Sequence, residues 1–232
     1  MFSKKYADAI TVLMCTVTII KNESSLDLFM NRDESHEREQ EIAPAHHWKD
    51  CILAPLDPQS NGTWIAVNTK TKDWGALLNG YTDADVPPPS KLKSRGQILP
   101  SLLRHDDPLD ALHKMECPPF MSFKLILNGM LFHWDGRSLT KEQDEVFFQT
   151  SSSYKQDDVI KIRSAQFETW RDEGQPLNEE GTPTLHESTV PDRTKSIMMY
   201  RDYSCTKSIT HLHIGHDGIP TMRHWLQPIN KL

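Results

Sequence analysis

The sequence predicts an α+β domain in which antiparallel sheets are covered by a few helices. Apolar, β-branched runs arrive in pairs separated by short polar turns, while only two stretches carry helix start signals. With 232 residues and 37% hydrophobic content, the chain is long enough for a sizeable single core.

The first predicted pair runs from Met14 to Ile20 and from Leu26 to Asn31, around Lys-Asn-Glu-Ser-Ser. A second pair, Thr63 to Asn68 and Trp74 to Asn79, flanks Thr-Lys-Thr-Lys-Asp. Phe123 to Leu127 and Met130 to Trp134 flank Asn128-Gly129, a dipeptide that takes the positive φ angles of a tight hairpin turn. Ser196 to Tyr200, Ser208 to Ile214 and Ile219 to Trp225 read as a meander with Asp217-Gly218 at one turn. Asp107-Pro108 opens a helix over Leu109 to Met115, as an N-cap followed by proline at the first helical position. A longer helix is expected from a cap at Asp157 or Asp158 to about Arg171, stopping at Gly174. Residues 174–193 read as a long polar loop.

Composition narrows the function classes. Lys and Arg number 26 against 32 Asp and Glu, a formal charge of −6, so no broad basic surface for nucleic acid is expected. The four cysteines, Cys15, Cys51, Cys117 and Cys205, lie far apart without a CxxC pair. That spacing excludes a disulfide framework and a zinc knuckle, and fits a reducing, cytoplasmic setting. No apolar run approaches the ~20 residues of a membrane-spanning helix. The segment Ile10 to Ile20 has the length of a signal-peptide core, but Asp8 borders it, threonines interrupt it and no small-residue cleavage site follows.

Chemistry concentrates in the first hairpin. Facing residues of an antiparallel pair have position numbers that sum to a constant set by the turn. A four-residue loop puts Cys15 opposite Arg32, and a three-residue loop puts it opposite Asn31. Either register leaves Cys15 beside Asn31-Arg32-Asp33-Glu34. A guanidinium there stabilises thiolate and lowers the cysteine pKa; alternatively, Arg32 and Asp33 merely close a strand end. Cys15 also follows Met14. Initiation at Met14 and removal of that methionine would leave an α-amine, with a reference pKa of ~7.7–8.0, beside the thiol as its base.

Met14-Cys15-Thr16, Asn31-Arg32-Asp33-Glu34, Trp48, Asp57, Asn61-Gly62-Thr63-Trp64-Ile65-Ala66-Val67-Asn68 and Gly75-Ala76-Leu77-Leu78-Asn79 together resemble the transport and Golgi organisation family with the NRDE motif. Looser matches continue through Ser94-Arg95-Gly96, Pro119 to Leu125, and Thr150 to Ser153 ahead of Arg163, reaching about residue 225. That family is similar to the N-terminal-nucleophile hydrolases. The resemblance implies a four-layer αββα sandwich of two antiparallel sheets and an amidohydrolase working through a thioester acyl-enzyme. Cys15 is then nucleophile and, through its amine, base; Arg32 holds the thiolate and Asp33 binds the α-ammonium. Asn79 donates its amide to the oxyanion, a role worth ~3–4 kcal/mol where measured. Arg163 shares the apolar stripe of Val159, Phe167 and Trp170, so it either snorkels at the edge of a packed face or reaches the active site. Where the family has Gly-Gly-Thr-Trp this chain has Asn61-Gly62-Thr63-Trp64, a mild change because asparagine tolerates positive φ.

The implied substrate is a small acyl or amide compound carrying a non-peptide C–N bond or a related acyl linkage. No cofactor and no metal are expected. The rival reading is a non-catalytic binding or trafficking protein, linked by the family to Golgi organisation and to lipid or haem handling. The expected location is cytoplasmic, with Golgi association implied by the resemblance. Residues 1–13 match nothing in the family and are expected to be an extension absent from the mature protein, with one domain over 14–232.

Weaker constellations take structural readings. His211, His213 and His216 read as a surface strand rather than metal ligands. His46-His47-Trp48 reads as a solvated loop, Trp64 and Trp74 as core, and Asp106, Asp107 and Asp110 as helix capping.

Overall fold

The structure is a computed structural model that describes residues 14–48, 51–81, 92–117 and 119–227; the expected N-terminal extension, 1–13, lies outside them. A five-stranded sheet has the order β10-β1-β2-β11-β12, built from β1 (Met14–Lys21), β2 (Leu26–Ser35), β10 (Phe148–Thr150), β11 (Ser204–Ile214) and β12 (Pro220–Leu226). A seven-stranded sheet runs in chain order through β3 (Ile42–Trp48), β4 (Ile52–Leu56), β5 (Ile65–Asn68), β6 (Trp74–Asn79), β7 (Phe123–Leu127), β8 (Met130–Trp134) and β9 (Leu139–Gln143). Every pairing is antiparallel.

Side-chain alternation explains why the sheets stack. Successive strand residues point to opposite faces. On the hairpin of β1 and β2, Val17, Ile19, Leu28 and Met30 face inward and meet Trp64, Ile65, Val67, Ala76, Leu78, Ile126 and Leu131 of the other sheet. The far face of the seven-stranded sheet offers Leu77, Phe123, Leu125, Leu127 and Phe132 to Leu99 and Leu102 of α1 (Ile98–Leu102) and Leu112 of α2 (Pro108–His113). Behind the five-stranded sheet, Phe167 and Trp170 of α3 (Gln156–Asp172) pack with Leu185, Ile197 and Phe148. The order is helix, sheet, sheet, helix, the four-layer sandwich expected. Gly75 marks the closest approach of α1 to β6, since a Cβ there would lie 2.5 Å from Leu99 Cδ2 and 2.9 Å from the Ile126 carbonyl oxygen.

Several local expectations hold. The Asp107 carboxylate accepts from the Leu109 and Asp110 amides and caps α2. Asn61 adopts φ +49°, the left-handed region that asparagine tolerates. Trp64 and Trp74 lie in the core between the sheets.

Other expectations are corrected. Lys155, in the left-handed region, precedes α3, and Asp157 and Asp158 sit inside its first turn, where they favour the helix dipole instead of capping it. His46-His47-Trp48 is not a loop but the end of β3, an edge strand whose exposed, irregular pairing with β4 gives no clean alternation to read. The four strands β3, β4, β9 and β10 and the helix α1 escaped the sequence reading. β10 has three residues and α1 has five, too few for a period, and both are held by packing. Ser196 to Tyr200 does not form a strand. Its carbonyls are taken by side chains: Arg163 Nη2 donates to Ser196 at 2.5 Å and Asn31 Nδ2 to Ile197 at 3.2 Å. The loop 174–193 carries a short 3-10 turn, Thr184–Glu187, which places His186 against β2.

Candidate active site

The hairpin register settles first. Cys15 faces Arg32 and Met14 faces Asp33, the four-residue-loop alternative. Alternation sends Cys15 and Arg32 to the space between the sheets and Asp33 to the opposite face, towards α3. A cavity of about 220 Å³ opens at this end of the sandwich, lined by Cys15, Arg32, Asp33, Asn79, Tyr81 and Arg95 among others.

Arg32 is not simply a cation over the thiol. Its Nη1 lies 3.1 Å from Glu41 Oε2, and its Nη2 lies 3.2 Å from both Glu34 Oε2 and Asp57 Oδ2. The guanidinium also stacks over Trp64, 4.4 Å from the ring centroid. Arg38 adds a second cation, with Nη2 2.6 Å from Asp57 Oδ2. Burial pushes the Cys15 thiol up to about 12, and Asp33 pushes the same way, while Arg32 opposes them without prevailing. Arg32 thus acts on the thiol in the expected direction, but burial and Asp33 outweigh it, and the net effect favours the neutral thiol.

This network makes Arg32 a structural centre. Arg32→Ala should lower stability by about 3–5 kcal/mol, because Glu34, Glu41 and Asp57 would crowd together without the guanidinium that they share. Urea unfolding checks this; a midpoint and slope equal to wild type would refute it.

Asp33 and Arg163 form the second layer. Asp33 Oδ1 accepts from Thr206 Oγ1 at 2.5 Å, and Oδ2 lies 3.5 Å from Arg163 Nη2, buried and without a hydrogen bond. Burial pushes the Asp33 carboxyl up to about 6, although Arg163 and Thr206 pull it down. Arg163 is fully buried, so the snorkelling alternative is excluded. It donates to Thr16 and Thr150 hydroxyls at 2.9 and 3.2 Å and to the Lys195 carbonyl at 3.1 Å. α3 thus carries its one buried cation to the underside of the first hairpin.

Asn79 ends β6 opposite Phe123 and lines the cavity with Tyr81. Tyr81, Arg95, Arg38, Glu41 and Asp57 were not foreseen as site residues. Asp57 and Arg95 lie inside segments that resemble the family, which is the signal that could have found them; Arg38 and Tyr81 reach the cavity with no local pattern, and Glu41 joins through Arg32 without lining the cavity. Arg95 donates to the Ser122 carbonyl at 2.8 Å, and burial lowers its pKa. Gly62 and Gly96 bring two loops of the cavity wall into contact, for a Cβ on Gly62 would sit 2.6 Å from the Gly96 carbonyl carbon. His186 lies on the far face of the five-stranded sheet. Its Nδ1 is 2.5 Å from Asn31 Oδ1, its Nε2 is 2.9 Å from Thr18 Oγ1, and burial pushes its pKa down to about 3. It ties the long loop to the sheet and is no base for Cys15.

A sandwich of these two sheets, with a cysteine on the first strand at the mouth of the cavity, has the fold of the N-terminal-nucleophile hydrolases. A Caenorhabditis elegans N-acylethanolamine-hydrolyzing acid amidase (NAAA) ortholog superposes with a TM-score of 0.56, covering 93% of this chain and 100% of its own at 11% identity. That likeness concerns the fold. The chain belongs to the family Transport and Golgi organisation 2, whose family model matches residues 14–182. No curated protein matches the sequence. Among the described residues no helix is long and apolar enough to cross a membrane.

Proposed function

We propose that this protein, in a form beginning at Cys15, is a cysteine N-terminal-nucleophile hydrolase that cuts a non-peptide amide C–N bond or a related acyl linkage. The observation that carries this reading is the buried Asp33 Oδ2, which meets Arg163 Nη2 only at a long 3.5 Å and lies next to the first residues of β1. An α-ammonium on Cys15 is the donor that would satisfy it. The peptide nitrogen of a longer chain has no useful basicity, so Met14 as well as residues 1–13 would have to be absent from the active form, leaving Cys15 as the first residue of the 14–232 domain.

In the proposed reaction the Cys15 amine takes the thiol proton and Sγ attacks the substrate carbonyl carbon. The Asn79 side-chain amide donates to the oxyanion of the tetrahedral intermediate. Collapse breaks the C–N bond, the ammonium returns its proton to the leaving amine, and the acyl group stays on Sγ as a thioester. Water, deprotonated by the same amine, then releases the carboxylic acid and the thiol. Arg163 holds Asp33 in place from behind, and Arg32 keeps Glu34, Glu41 and Asp57 from repelling the thiolate. Leu92 and Met121 give the acyl part an apolar wall. The nematode amidase named above hydrolyses N-acylethanolamines, which makes an N-acyl amide the first substrate to try.

The test is incubation of a chain beginning at Cys15 with an N-acylethanolamine, followed by amine release and peptide mass mapping. The expected result is turnover with an acyl adduct on the Cys15 peptide, both absent in Cys15→Ala. Equal turnover by Cys15→Ala would refute the mechanism.

A second reading rests on the raised thiol pKa. With residues ahead of Cys15 the thiol stays neutral, and the same cavity serves a binding or trafficking protein of the cytoplasm and Golgi, as the family name suggests.

A further inference from the structure

A second cluster lies outside the cavity, on the face of the five-stranded sheet that looks away from the seven-stranded one. On β11, His211 and His213 are two residues apart and share this face, while Leu212 between them packs into the core between the sheets. The register sets Asp27 of β2 directly opposite His213 and one diagonal step from His211. His211 Nε2 and His213 Nδ1 each lie 2.7 Å from the same oxygen, Asp27 Oδ1. All the ligand-capable atoms fall within 4.8 Å of one another.

We propose that Asp27, His211 and His213 form a binding site for a divalent transition-metal ion of the zinc type. Two imidazoles and one carboxylate are a donor set that such ions take, at about 2.0–2.2 Å from each ligand atom. Bonds of that length at tetrahedral or octahedral angles separate the ligand atoms by roughly 3 Å, so each imidazole nitrogen needs to draw back from Asp27 Oδ1 by only a few tenths of an ångström. One carboxylate oxygen taking two imidazole N–H donors is a geometry that an ion between the three groups would relieve. Neutral imidazoles can bind by moving the ring proton to their other nitrogen, so binding need not change the charge of either ring.

The surroundings support the assignment. The Phe29 ring stacks on His211 at 4.0 Å and 8°, which fixes the imidazole plane. His213 has 40% of its side chain exposed, giving an ion a path of entry, whereas Asp27 and His211 are mostly covered. Across the other side of β11, Thr221 faces His213 and the exposed Arg223 faces His211. Arg223 is a cation beside the cluster, and its exposure lets it swing into solvent. Three protein ligands leave room for water or an anion on the ion.

Equilibrium dialysis of the full chain against Zn²⁺, after chelator stripping, tests the site. One ion per chain is expected, with affinity at least about tenfold weaker in His213→Ala and His211→Ala and unchanged in His216→Ala. Zn²⁺ should also raise the melting temperature of the full chain and not that of His213→Ala. Substitution at the exposed His213 leaves the apolar core untouched, so a well-folded variant is available, and its melt in chelator verifies this. A full chain that takes up no Zn²⁺, or a His213→Ala protein that binds it as tightly, would overturn the proposal. Neither outcome bears on Cys15.

Discussion

Protein beginning at Cys15 is expected to be alkylated at that thiol at least ~100-fold faster at neutral pH than protein carrying residues 1–13. The attacking species is the thiolate, and each unit of pKa changes its population tenfold. In the longer chain burial and Asp33 push the thiol up to about 12, leaving almost none of it ionised at pH 7. A free α-amine acts in two ways. Its protonated form places a positive charge beside the sulfur and against Asp33, and its neutral form accepts the thiol proton. Cys51, only partly buried, provides an internal standard in both forms. Mapped iodoacetamide labelling should show Cys15 trailing Cys51 in the longer chain and leading it in the shorter one. An unchanged ratio would mean that the amine does not reach the thiol, and the proposed chemistry would fail.

Arg163→Met should destabilise the protein by about 3–5 kcal/mol at neutral pH, because it strands a buried carboxylate. Asp33 keeps the Thr206 hydroxyl but loses the guanidinium at 3.5 Å. Its carboxyl, already raised to about 6, then rises further. For a carboxyl whose folded pKa lies above its unfolded value near 3.8, stability is fully present below the unfolded pKa and declines as pH rises through the folded one. The difference between variant and wild type should therefore widen from pH 4 to pH 8. A second part, from the lost bonds to Thr16, Thr150 and the carbonyls of Lys195 and Ser196, should not vary with pH. Denaturant melts across that range separate the two parts. A pH-independent loss would show that Asp33 carries no charge in the folded protein.

The parts of this molecule legible in advance are those governed by neighbours in sequence. The hairpin of β1 and β2, the pair β7 and β8 around Asn128-Gly129, and the Asp107 cap follow from turn chemistry and alternation over a few residues. The same rule placed Cys15 beside Arg32 and Asp33, because register within a hairpin is counted from its turn. Arg163 was conspicuous as a charge on an apolar stripe. Its destination was not, since the acceptors it meets come from β1, β10 and a segment some thirty residues further on.

What stayed hidden depends on pairing between distant segments. β3 and β10 exist because neighbouring strands offer them hydrogen bonds, not because their own residues alternate. Ser196 to Tyr200 is as apolar as a strand, yet its carbonyls are claimed by Arg163 and Asn31. The sequence by itself determined an α+β domain of antiparallel sheets, which the family resemblance arranged as a sandwich, and a cysteine beside Asn31-Arg32-Asp33-Glu34. Only the tertiary structure decided that Arg32 is shared among Glu34, Glu41 and Asp57, that burial holds the Cys15 thiol neutral, and that Asp27 meets His211 and His213. Those outcomes turn on solvent exclusion and on charges brought together across up to 186 positions of chain, and such meetings are fixed by packing rather than by local residue pattern.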